Sequence, residues 1–373
     1  MREFITGADA IARAALDSGC TFFAGYPITP ATPILLHLIE ELPKTGGVAI
    51  QAEDEIAAIG FCVGAAMAGA RAMTATSGPG VSLYSETVGL AIMGEVPLVI
   101  VDVQRMGPAT GGATTVAQGD IQFLRWGTSG GYPLIVLAPT DIADCYNLTR
   151  RAFDLAERFR VPVFLATDKE TVASSATVAL DAYQNIPVRE RALAASGNGF
   201  TPYRYDPVDG VPPMAHFHGP HIVRFTGSSH DERGYLSKKP RDVGALNRHL
   251  AAKIDDRAGE IALVEADLQD GAETLIISYG ITALSAAEAV RKCRASGRRI
   301  SRLTLRTLWP VPEAAIERAL DGVRRVIVPE LNLGQYRREI ERVACGRVEI
   351  AGVNRVDGEL IAPDAILAEG GLL

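Results

Sequence analysis

Cysteine is scarce in this sequence, and its spacing excludes the usual sulfur-ligated metal sites. The five cysteines are scattered, and no two of them form a C-x-x-C pair, on which structural zinc sites and iron–sulfur clusters are commonly built. Scattered cysteines in odd number are typical of buried, reduced thiols. Any redox cluster that serves this protein must therefore lie on another chain.

Long apolar runs and an excess of positive charge are also missing. No apolar stretch reaches the about 20 residues of a membrane-spanning helix, and the opening MREFITGADA lacks the apolar core of a secretory signal. The formal net charge of -7 gives no reason to expect nucleic acid or an anionic membrane as a ligand. We expect a cytoplasmic protein with neither of these partners.

Residues 1–173 alternate short β-rich runs with helical ones, as in one α/β domain. The predicted strands are Thr21–Gly25, Val48–Gln51, Ala72–Thr76, Pro97–Val103, Pro133–Ala138 and Val161–Thr167. The predicted helices are Gly7–Ser18, Ala31–Glu41, Ile56–Ala70, Val81–Met93 and Asp141–Arg158. Apolar runs such as PLVIVDV, separated by helices, are typical of a parallel sheet covered on both faces. At 373 residues the chain is long enough for one or two further domains.

The alternation stops at residue 174, and residues 174–268 are predicted to connect two domains. Its residues 174–239 are rich in Pro, Gly and aromatics and hold four of the six histidines, and a helix is predicted to follow from Asp242 to about Leu268. Because long structureless loops are rare in compact domains, we expect an arm ordered against a partner at a subunit interface, with a lid as the alternative. No carboxylate or cysteine completes a metal site at His216, His218 and His221, so no metal is predicted on this chain.

Residues 269–373 contain a second β/α series and are predicted to form a small separate domain. Its strands are expected at Glu273–Tyr279, Ile300–Leu305 and Arg324–Val328. Six basic residues cluster near one predicted helix end, namely Arg291, Lys292, Arg294, Arg298, Arg299 and Arg302. A solvated edge is the favoured interpretation of this cluster, and a phosphate site is the alternative.

One helix of the first domain carries no charge over fifteen residues, Ile56–Ala70. An all-round apolar helix of this length is too short to span a bilayer and must be surrounded by protein. It is preceded by three acids, Glu53, Asp54 and Glu55, and followed by a strand that ends in the turn TSGPG. The acids suit the helix dipole, and the apolar pattern cannot choose one of them for chemistry.

Two further stretches follow predicted strands, at the sheet edge where ligands bind in open α/β folds. In YPITP (residues 26–30), two prolines fix the backbone around Thr29, whose hydroxyl either caps the next helix or binds an anionic group. In VQRMGP (residues 103–108), Arg105 stands directly at the strand end, where its forked donors suit a carboxylate. A structural ion pair is the alternative for this arginine.

These stretches resemble one known family. YPITP, EDEIAA, TSGPG, VQRMGP, HDERG at residues 230–234, LTLRTLWPVPE and VIVPELNLGQ follow one another over nearly the whole chain. Together they resemble the α-subunit of the 2-oxoacid:ferredoxin oxidoreductases, most closely the 2-oxoglutarate type. TSGPG after a helix opened by Glu is also similar to the pyrimidine-binding domain of thiamine diphosphate enzymes such as acetolactate synthase. The resemblance implies a thiamine-diphosphate-binding, pyrimidine-type parallel-sheet domain and a smaller transketolase C-terminal-like domain.

The resemblance also implies roles for residues. Glu55, in the register of the family's helix-opening glutamate, would be the catalytic residue and hydrogen-bond N1′ of the aminopyrimidine. Thr29 and Arg105 would hold the carboxylate of the 2-oxoacid. Three further cofactor contacts are implied at Pro27, Ser77 and Gly78. The carbanion chemistry itself would belong to the cofactor.

The Gly-Asp-Gly motif, with which this class holds diphosphate and Mg²⁺, does not occur in the sequence. The resemblance therefore implies that this chain supplies only the pyrimidine half of the site. A β-subunit would supply the diphosphate half, Mg²⁺ and a [4Fe-4S] cluster in an α₂β₂ assembly. Coenzyme A would be the co-substrate and ferredoxin the electron acceptor. A γ-domain, fused in some relatives, would be a separate γ or δ subunit or absent.

The expected reaction is the CoA-dependent oxidative decarboxylation of a 2-oxoacid, with 2-oxoglutarate as the first choice. Two departures keep pyruvate, branched-chain and aryl 2-oxoacids open. Ala109 stands where many 2-oxoglutarate-type chains have Ser, and residues 129–131 read SGG where they often read HGD. A non-catalytic assembly or regulatory subunit is the alternative of another class. The missing Gly-Asp-Gly argues against a self-contained acetolactate-synthase-like enzyme.

Overall fold

The computed structural model describes residues 2–183, 186–196 and 199–372. The elements of the first half are β1 (Glu3–Thr6), α1 (Gly7–Asp17), β2 (Phe22–Gly25), α2 (Thr32–Glu41), β3 (Val48–Gln51), α3 (Glu55–Met67), β4 (Ala72–Thr76), α4 (Gly78–Met93), β5 (Leu98–Gln104), α5 (Ile121–Trp126), β6 (Ile135–Leu137), α6 (Ile142–Phe159), β7 (Pro162–Asp168), α7 (Lys169–Ala173) and β8 (Ser175–Val178). Those of the second half are α8 (Pro240–Asp255), α9 (Ala258–Ile261), β9 (Val264–Asp267), β10 (Thr274–Tyr279), α10 (Thr282–Ala295), β11 (Ser301–Leu305), β12 (Thr307–Trp309), α11 (Glu313–Ala319), β13 (Arg325–Glu330), α12 (Arg337–Ala344), β14 (Glu349–Asn354) and α13 (Pro363–Glu369).

A seven-stranded sheet in the order β12-β6-β7-β5-β4-β2-β3 organises the N-terminal half. The six predicted strands are all present and pair in parallel, and every residue of the central strands β5 and β7 is buried. Burial on both faces is the reason that these strands consist mainly of apolar residues. The seventh strand, β12, comes from the C-terminal half and runs antiparallel to β6.

The C-terminal half contains a second sheet of five strands in the order β14-β13-β10-β11-β9. Its three predicted strands are present, but the helix predicted to reach about Leu268 is wrong at its end. Helix α8 ends at Asp255, and β9 then pairs antiparallel with β11. The carboxylate of Asp267 accepts a hydrogen bond from Arg294 at 3.0 Å. Such pairing between segments distant in the sequence leaves no trace in the local apolar pattern.

The arm before α8 is fastened to its own chain. Arg160 donates from Nη1 to the carbonyl oxygen of Pro212 at 3.0 Å, and Arg191 forms two hydrogen bonds of 2.8 Å with the carboxylate of Glu157. Four arm positions, 184, 185, 197 and 198, lie outside the described residues. The expectation that the arm also meets a partner subunit stays a prediction.

Two contacts cross the expected domain boundaries. Strand β8, just after residue 173, pairs antiparallel with β1, and β12 joins the N-terminal sheet from beyond residue 269. One apolar core includes side chains from both halves. The boundaries at 173/174 and 268/269 therefore stay predictions.

The basic cluster near residue 300 is engaged within the chain. Arg291 pairs with Glu288, Lys292 with Asp364, Arg294 with Asp267 and Arg302 with Glu265, while Arg298 and Arg299 donate to carbonyl oxygens. These pairings favour the structural interpretation over a phosphate site.

The five cysteines are free thiols, and four of them are buried. None of the described helices is both long and apolar enough to cross a membrane.

Candidate active site

The strand order brings the predicted site residues to one edge of the seven-stranded sheet. Neighbouring parallel strands lie in the order β5-β4-β2-β3, and parallel strands end at the same edge. Arg105 follows β5, the TSGPG turn follows β4, the YPITP loop follows β2, and Glu55 opens the helix after β3. This is the edge at which ligands bind in open parallel sheets.

The structure gives the three acids before α3 three different positions. Glu53 is exposed. Asp54 is the N-cap of α3, and its side chain accepts the backbone N–H of Ala57 at 2.7 Å, which satisfies one of the unpaired donors of the helix start. Glu55 is the first helical residue, and only 7% of its surface is exposed. The buried position of Glu55 matches the implied role and could not be read from the apolar pattern.

The two glycines of the TSGPG turn each make room for a carboxylate. A Cβ at Gly80 would overlap the hydroxyl of Thr76 and lie 3.1 Å from Oε1 of Glu55. A Cβ at Gly78 would lie 2.8 Å from Oδ1 of Asp120. The turn thus needs glycine at both positions because carboxylates pack directly against its backbone.

Thr29 and Arg105, the two predicted substrate residues, are in direct contact. Arg105 is 7% exposed and donates from Nη1 to the carbonyl oxygen of Thr29, while its Nε has no hydrogen-bond partner among the described residues. Thr29 is exposed, and the N-cap of α2 is Ala31 without a side-chain hydrogen bond. The hydroxyl of Thr29 therefore does not cap α2, and its binding of an anionic group stays a prediction.

A cleft of about 420 Å³ opens beside Arg105 between the two halves of the chain. Its walls include Arg105, Ala109 and Asp120 from the N-terminal half, and Asn332 and Gln335 from the C-terminal half. Asn332 is buried and donates from Nδ2 to the carbonyl oxygen of Gln118 at 2.8 Å. The contribution of residues 331–335 was not assigned from the sequence, although the motif VIVPELNLGQ contains them.

Sequence reasoning missed Asp120, which borders the cleft, and Asp102, which lies in β5. Asp102 is fully buried in β5, and neither of its carboxylate oxygens has a hydrogen-bond partner among the described residues. Burial and the charge of Asp120 raise the pKa of Asp102 well above its ordinary value. Burial also raises the pKa of Asp120 to about 6, against the opposing effect of Arg105. In the sequence, Asp120 stands in Gly-Asp-Ile, which does not match the Gly-Asp-Gly motif.

The two departures from the 2-oxoglutarate pattern lie in different places. Ala109, with φ at 51°, borders the Arg105 cleft. Ser129 and Gly130 instead border a second cleft of about 510 Å³, together with Gly89 and Asn247. Only the departure at residue 109 therefore touches the cleft that contains Arg105.

Helix α3 is covered by its own chain on one face only. Ile56 is 54% exposed and Phe61 is 48% exposed, and Gly60 and Gly64 also face outward. The adjacent helix α4 exposes 47% of Leu83. The expectation that α3 is enclosed by protein is therefore not met by this chain alone, because half of the helix presents apolar surface to its surroundings.

Comparison with known proteins defines the family. A family model described as pyruvate flavodoxin/ferredoxin oxidoreductase, thiamine diP-bdg, matches residues 13–244, and one described as pyruvate:ferredoxin oxidoreductase core domain II matches residues 272–366. The chain is 42% identical to 2-oxoglutarate synthase subunit KorA of Methanothermobacter marburgensis, over 98% of this chain and 97% of that protein. The chain belongs to the pyruvate flavodoxin/ferredoxin oxidoreductase family. It is also 34% identical to another family member, ketoisovalerate oxidoreductase subunit VorB of Methanothermobacter thermautotrophicus, over 96% and 94% of the two chains.

Solved structures agree with the family assignment. The 2-oxoglutarate:ferredoxin oxidoreductase of Magnetococcus marinus, with 2-oxoglutarate, coenzyme A and succinyl-CoA bound, superimposes with a TM-score of 0.92 at 31% identity. The match covers 99% of this chain but 65% of that longer chain. A split-gene transketolase matches with a TM-score of 0.56 at 12% identity, over 99% and 98% of the two chains, which shows a shared fold. The predicted fold class, the oxidoreductase class and the thiamine diphosphate cofactor are confirmed.

The geometry fits the pyrimidine half of a thiamine diphosphate site. The buried carboxyl of Glu55 lies against the glycine backbone of the TSGPG turn. The hydroxyl of Ser77 is fully buried without a hydrogen-bond partner among the described residues. Buried polar atoms are rarely left unpaired in a completed site. The relatives are named as subunits, which agrees with a site that this chain completes only with a partner.

Proposed function

We propose that this chain is the α-subunit of an enzyme that oxidatively decarboxylates 2-oxoglutarate to succinyl-CoA and passes the electrons to ferredoxin. The observation that carries the proposal is the placement of Glu55 and Arg105 at one edge of four neighbouring strands. Glu55 is buried against the TSGPG turn, and Arg105 borders a cleft large enough for a small dicarboxylate. The chain thus combines a cofactor carboxyl with a cation for the substrate.

Thiamine diphosphate, when bound, supplies the chemistry that cleaves the bond between the oxo carbon and the carboxyl carbon. The carboxyl of Glu55 would hold a proton at N1′ of the aminopyrimidine, and Pro27, Ser77 and Gly78 would border the ring. The hydroxyl of Thr29 and the guanidinium of Arg105 would bind and orient the carboxylate that leaves as CO₂.

A β-subunit would supply the diphosphate half of the site, Mg²⁺ and the [4Fe-4S] cluster. This division is supported by the missing Gly-Asp-Gly motif and by the absence of any C-x-x-C pair from the sequence. The exposed apolar face of α3, at Ile56 and Phe61, offers a surface that such a subunit would bury. An α₂β₂ assembly is the simplest form, with γ or δ subunits as additions. The five free thiols suit the reducing cytoplasm.

The choice of 2-oxoglutarate rests on similarity, while one residue of the cleft keeps other substrates open. Identity is 42% to the 2-oxoglutarate synthase subunit and 34% to the ketoisovalerate oxidoreductase subunit. Ala109 keeps branched-chain, pyruvate and aryl substrates as alternatives, because it borders the cleft where Ser is frequent in the 2-oxoglutarate type.

The proposal is tested on the complex purified after co-expression with its candidate β-subunit. CoA-dependent reduction of ferredoxin is measured with 2-oxoglutarate, pyruvate, 2-oxoisovalerate and an aryl 2-oxoacid, and 2-oxoglutarate is expected to give the highest kcat/KM. The Glu55→Gln variant should lose about 10²–10⁴-fold in rate, the usual effect of a positioned acid–base group. Glu53→Gln is the matched control, since Glu53 is exposed two residues earlier. Full activity of the Glu55→Gln complex would favour the non-catalytic alternative for this subunit.

A further inference from the structure

Asp102 and Asp120 form a pair of carboxyls behind the Arg105 cleft. Asp102 lies inside the sheet, level with Thr76 of β4 and Ala166 of β7, and none of its surface is exposed. Both of its oxygens lack a hydrogen-bond donor among the described residues. An ionised carboxylate without a partner is very unfavourable in such surroundings. Burial and the charge of Asp120 accordingly raise the pKa of the Asp102 side chain well above its ordinary value.

Asp120 differs because it reaches the cleft. Its backbone N–H donates to Oε1 of Gln104 at 3.2 Å, and its carboxylate packs against Gly78. It borders the same cleft as Arg105, and its Oδ2 has no hydrogen-bond partner among the described residues. Asp120 is thus the member of the pair that can ionise and attract the guanidinium.

We propose that Asp120 is a positioning residue whose ionised form competes with the carboxylate of the 2-oxoacid for Arg105. The inference rests on the proposed role of Arg105 in substrate binding. When Asp120 is ionised, it neutralises part of the positive charge that the substrate needs. When Asp120 is protonated, that charge is free for the incoming anion. Substrate binding is therefore coupled to proton uptake by Asp120.

The direction of the pH dependence follows from this competition. Because the pKa of Asp120 is raised to about 6 by burial, against the effect of Arg105, the side chain is largely protonated below that pH and ionised above it. The KM for the 2-oxoacid should be low in the acidic range and rise as the pH passes through about 6. Unit charges several ångströms apart at a protein surface give an effect of roughly 5- to 30-fold.

Few charged groups act on Asp120 in the part of the chain that the structure describes. Within the described residues, Asp102 on β5 and Arg105 after β5 are the charges that act on the pair. Asp120 packs against Gly78, whereas Glu55 packs against Gly80 of the same turn. The wall from the C-terminal half contributes the neutral side chains of Asn332 and Gln335. Burial in these surroundings raises the pKa of Asp120 to about 6, against the effect of Arg105.

The test compares two isosteric variants of the assembled complex, Asp120→Asn and Asp102→Asn. KM and kcat for 2-oxoglutarate are measured between pH 5.5 and 8.0, where the substrate carboxylates stay ionised. Asp120→Asn should keep the low KM over the whole range and lose the inflection. Asp102→Asn changes a side chain that does not border the cleft and leaves Asp120 in place, so it should retain the inflection. Thermal unfolding of both complexes checks that they are folded.

The outcomes separate this inference from the function on which it rests. The inference is overturned if the inflection of KM with pH persists in Asp120→Asn or disappears in Asp102→Asn. In either case, turnover of the 2-oxoacid still upholds the proposed function. A KM that Arg105→Gln leaves unchanged removes the role of Arg105, and the inference with it. A wild-type complex that turns over no 2-oxoacid contradicts the proposed function itself. Should Asp120→Asn fail to fold, Asp120→Ser is measured in the same way.

Discussion

The Cβ that Gly80 lacks would lie 3.1 Å from Oε1 of Glu55. The carboxyl of the helix-opening glutamate therefore packs on the bare backbone of the turn after β4. A side chain at residue 80 would also overlap the hydroxyl of Thr76. The glycine of one motif thus fixes the position of the acid in another motif, 25 residues earlier in the chain.

Gly80→Ala should displace Glu55 and impair the enzyme without unfolding it. We expect the assembled complex to lose at least about tenfold in kcat, because a positioned carboxyl that moves by even one ångström loses much of its effect. Thiamine diphosphate binding, followed by fluorescence titration, should weaken as well. Gly259→Ala is the matched control, since a Cβ there meets nothing within 4 Å. Unchanged activity of Gly80→Ala would show that the contact with Glu55 has no role in placing it.

Phe61→Glu should prevent assembly with the β-subunit. Phe61 is 48% exposed on the apolar face of α3, and a charge in the centre of a buried interface is strongly unfavourable. Size-exclusion chromatography with light scattering should show the variant alone and still folded. Leu284→Glu, on α10 with a side chain that is 50% exposed, should assemble like the wild type. Normal assembly of Phe61→Glu would place the interface elsewhere.

Glu95→Gln should destabilise the fold by about 3–5 kcal/mol at pH 7, because it leaves buried cations without their counter-charge. Glu95 is fully buried and accepts hydrogen bonds from Lys253 at 2.7 Å and from His249 at 3.0 Å. These contacts join α8 to the N-terminal half. Urea denaturation measures the change, and Glu41→Gln in an exposed pair with Lys44 is the control.

The same network predicts how stability depends on pH. Burial alone would raise the pKa of Glu95. Its pKa nevertheless lies well below its usual range, because Lys253, His249 and Arg160 surround the carboxylate. A carboxyl with a lowered pKa in the folded state stabilises above its unfolded value of about 4.3, and this contribution is lost as the pH falls further. Wild-type stability should therefore drop below about pH 4.5, and that drop should be smaller in Glu95→Gln. Equal slopes in the two proteins would contradict the assignment.

Arg294→Gln should lower stability by about 1–2 kcal/mol and leave the KM for coenzyme A unchanged. Arg294 donates to Asp267 of β9 and to the carbonyl oxygen of Ile300, so its loss removes hydrogen bonds that fasten the edge strand. Arg291→Gln, in an exposed pair with Glu288, is the control. A large rise in the KM for coenzyme A would revive the phosphate-site interpretation of the basic cluster.

The limits of sequence reasoning are visible at particular elements. Strands β2 to β7 were predicted from their short apolar runs, and the central ones, β4, β5 and β7, are buried on both faces. Strands β1, β8, β9, β12 and β14 were missed because antiparallel and edge strands depend on distant partners. The sequence also predicted that α3 would be enclosed, whereas the chain covers one face and leaves Phe61 outside.

The sequence by itself determined the family, the α/β class and the motifs that carry the chemistry, because these depend on residue identity and local order. Only the tertiary structure decided which of three adjacent acids is buried against the turn, since Asp54 caps the helix and Glu53 is exposed. It also brought Thr29 to Arg105 and Asp120 to Gly78. Those contacts join residues far apart in the chain, and they exist because neighbouring parallel strands end at one edge of the sheet.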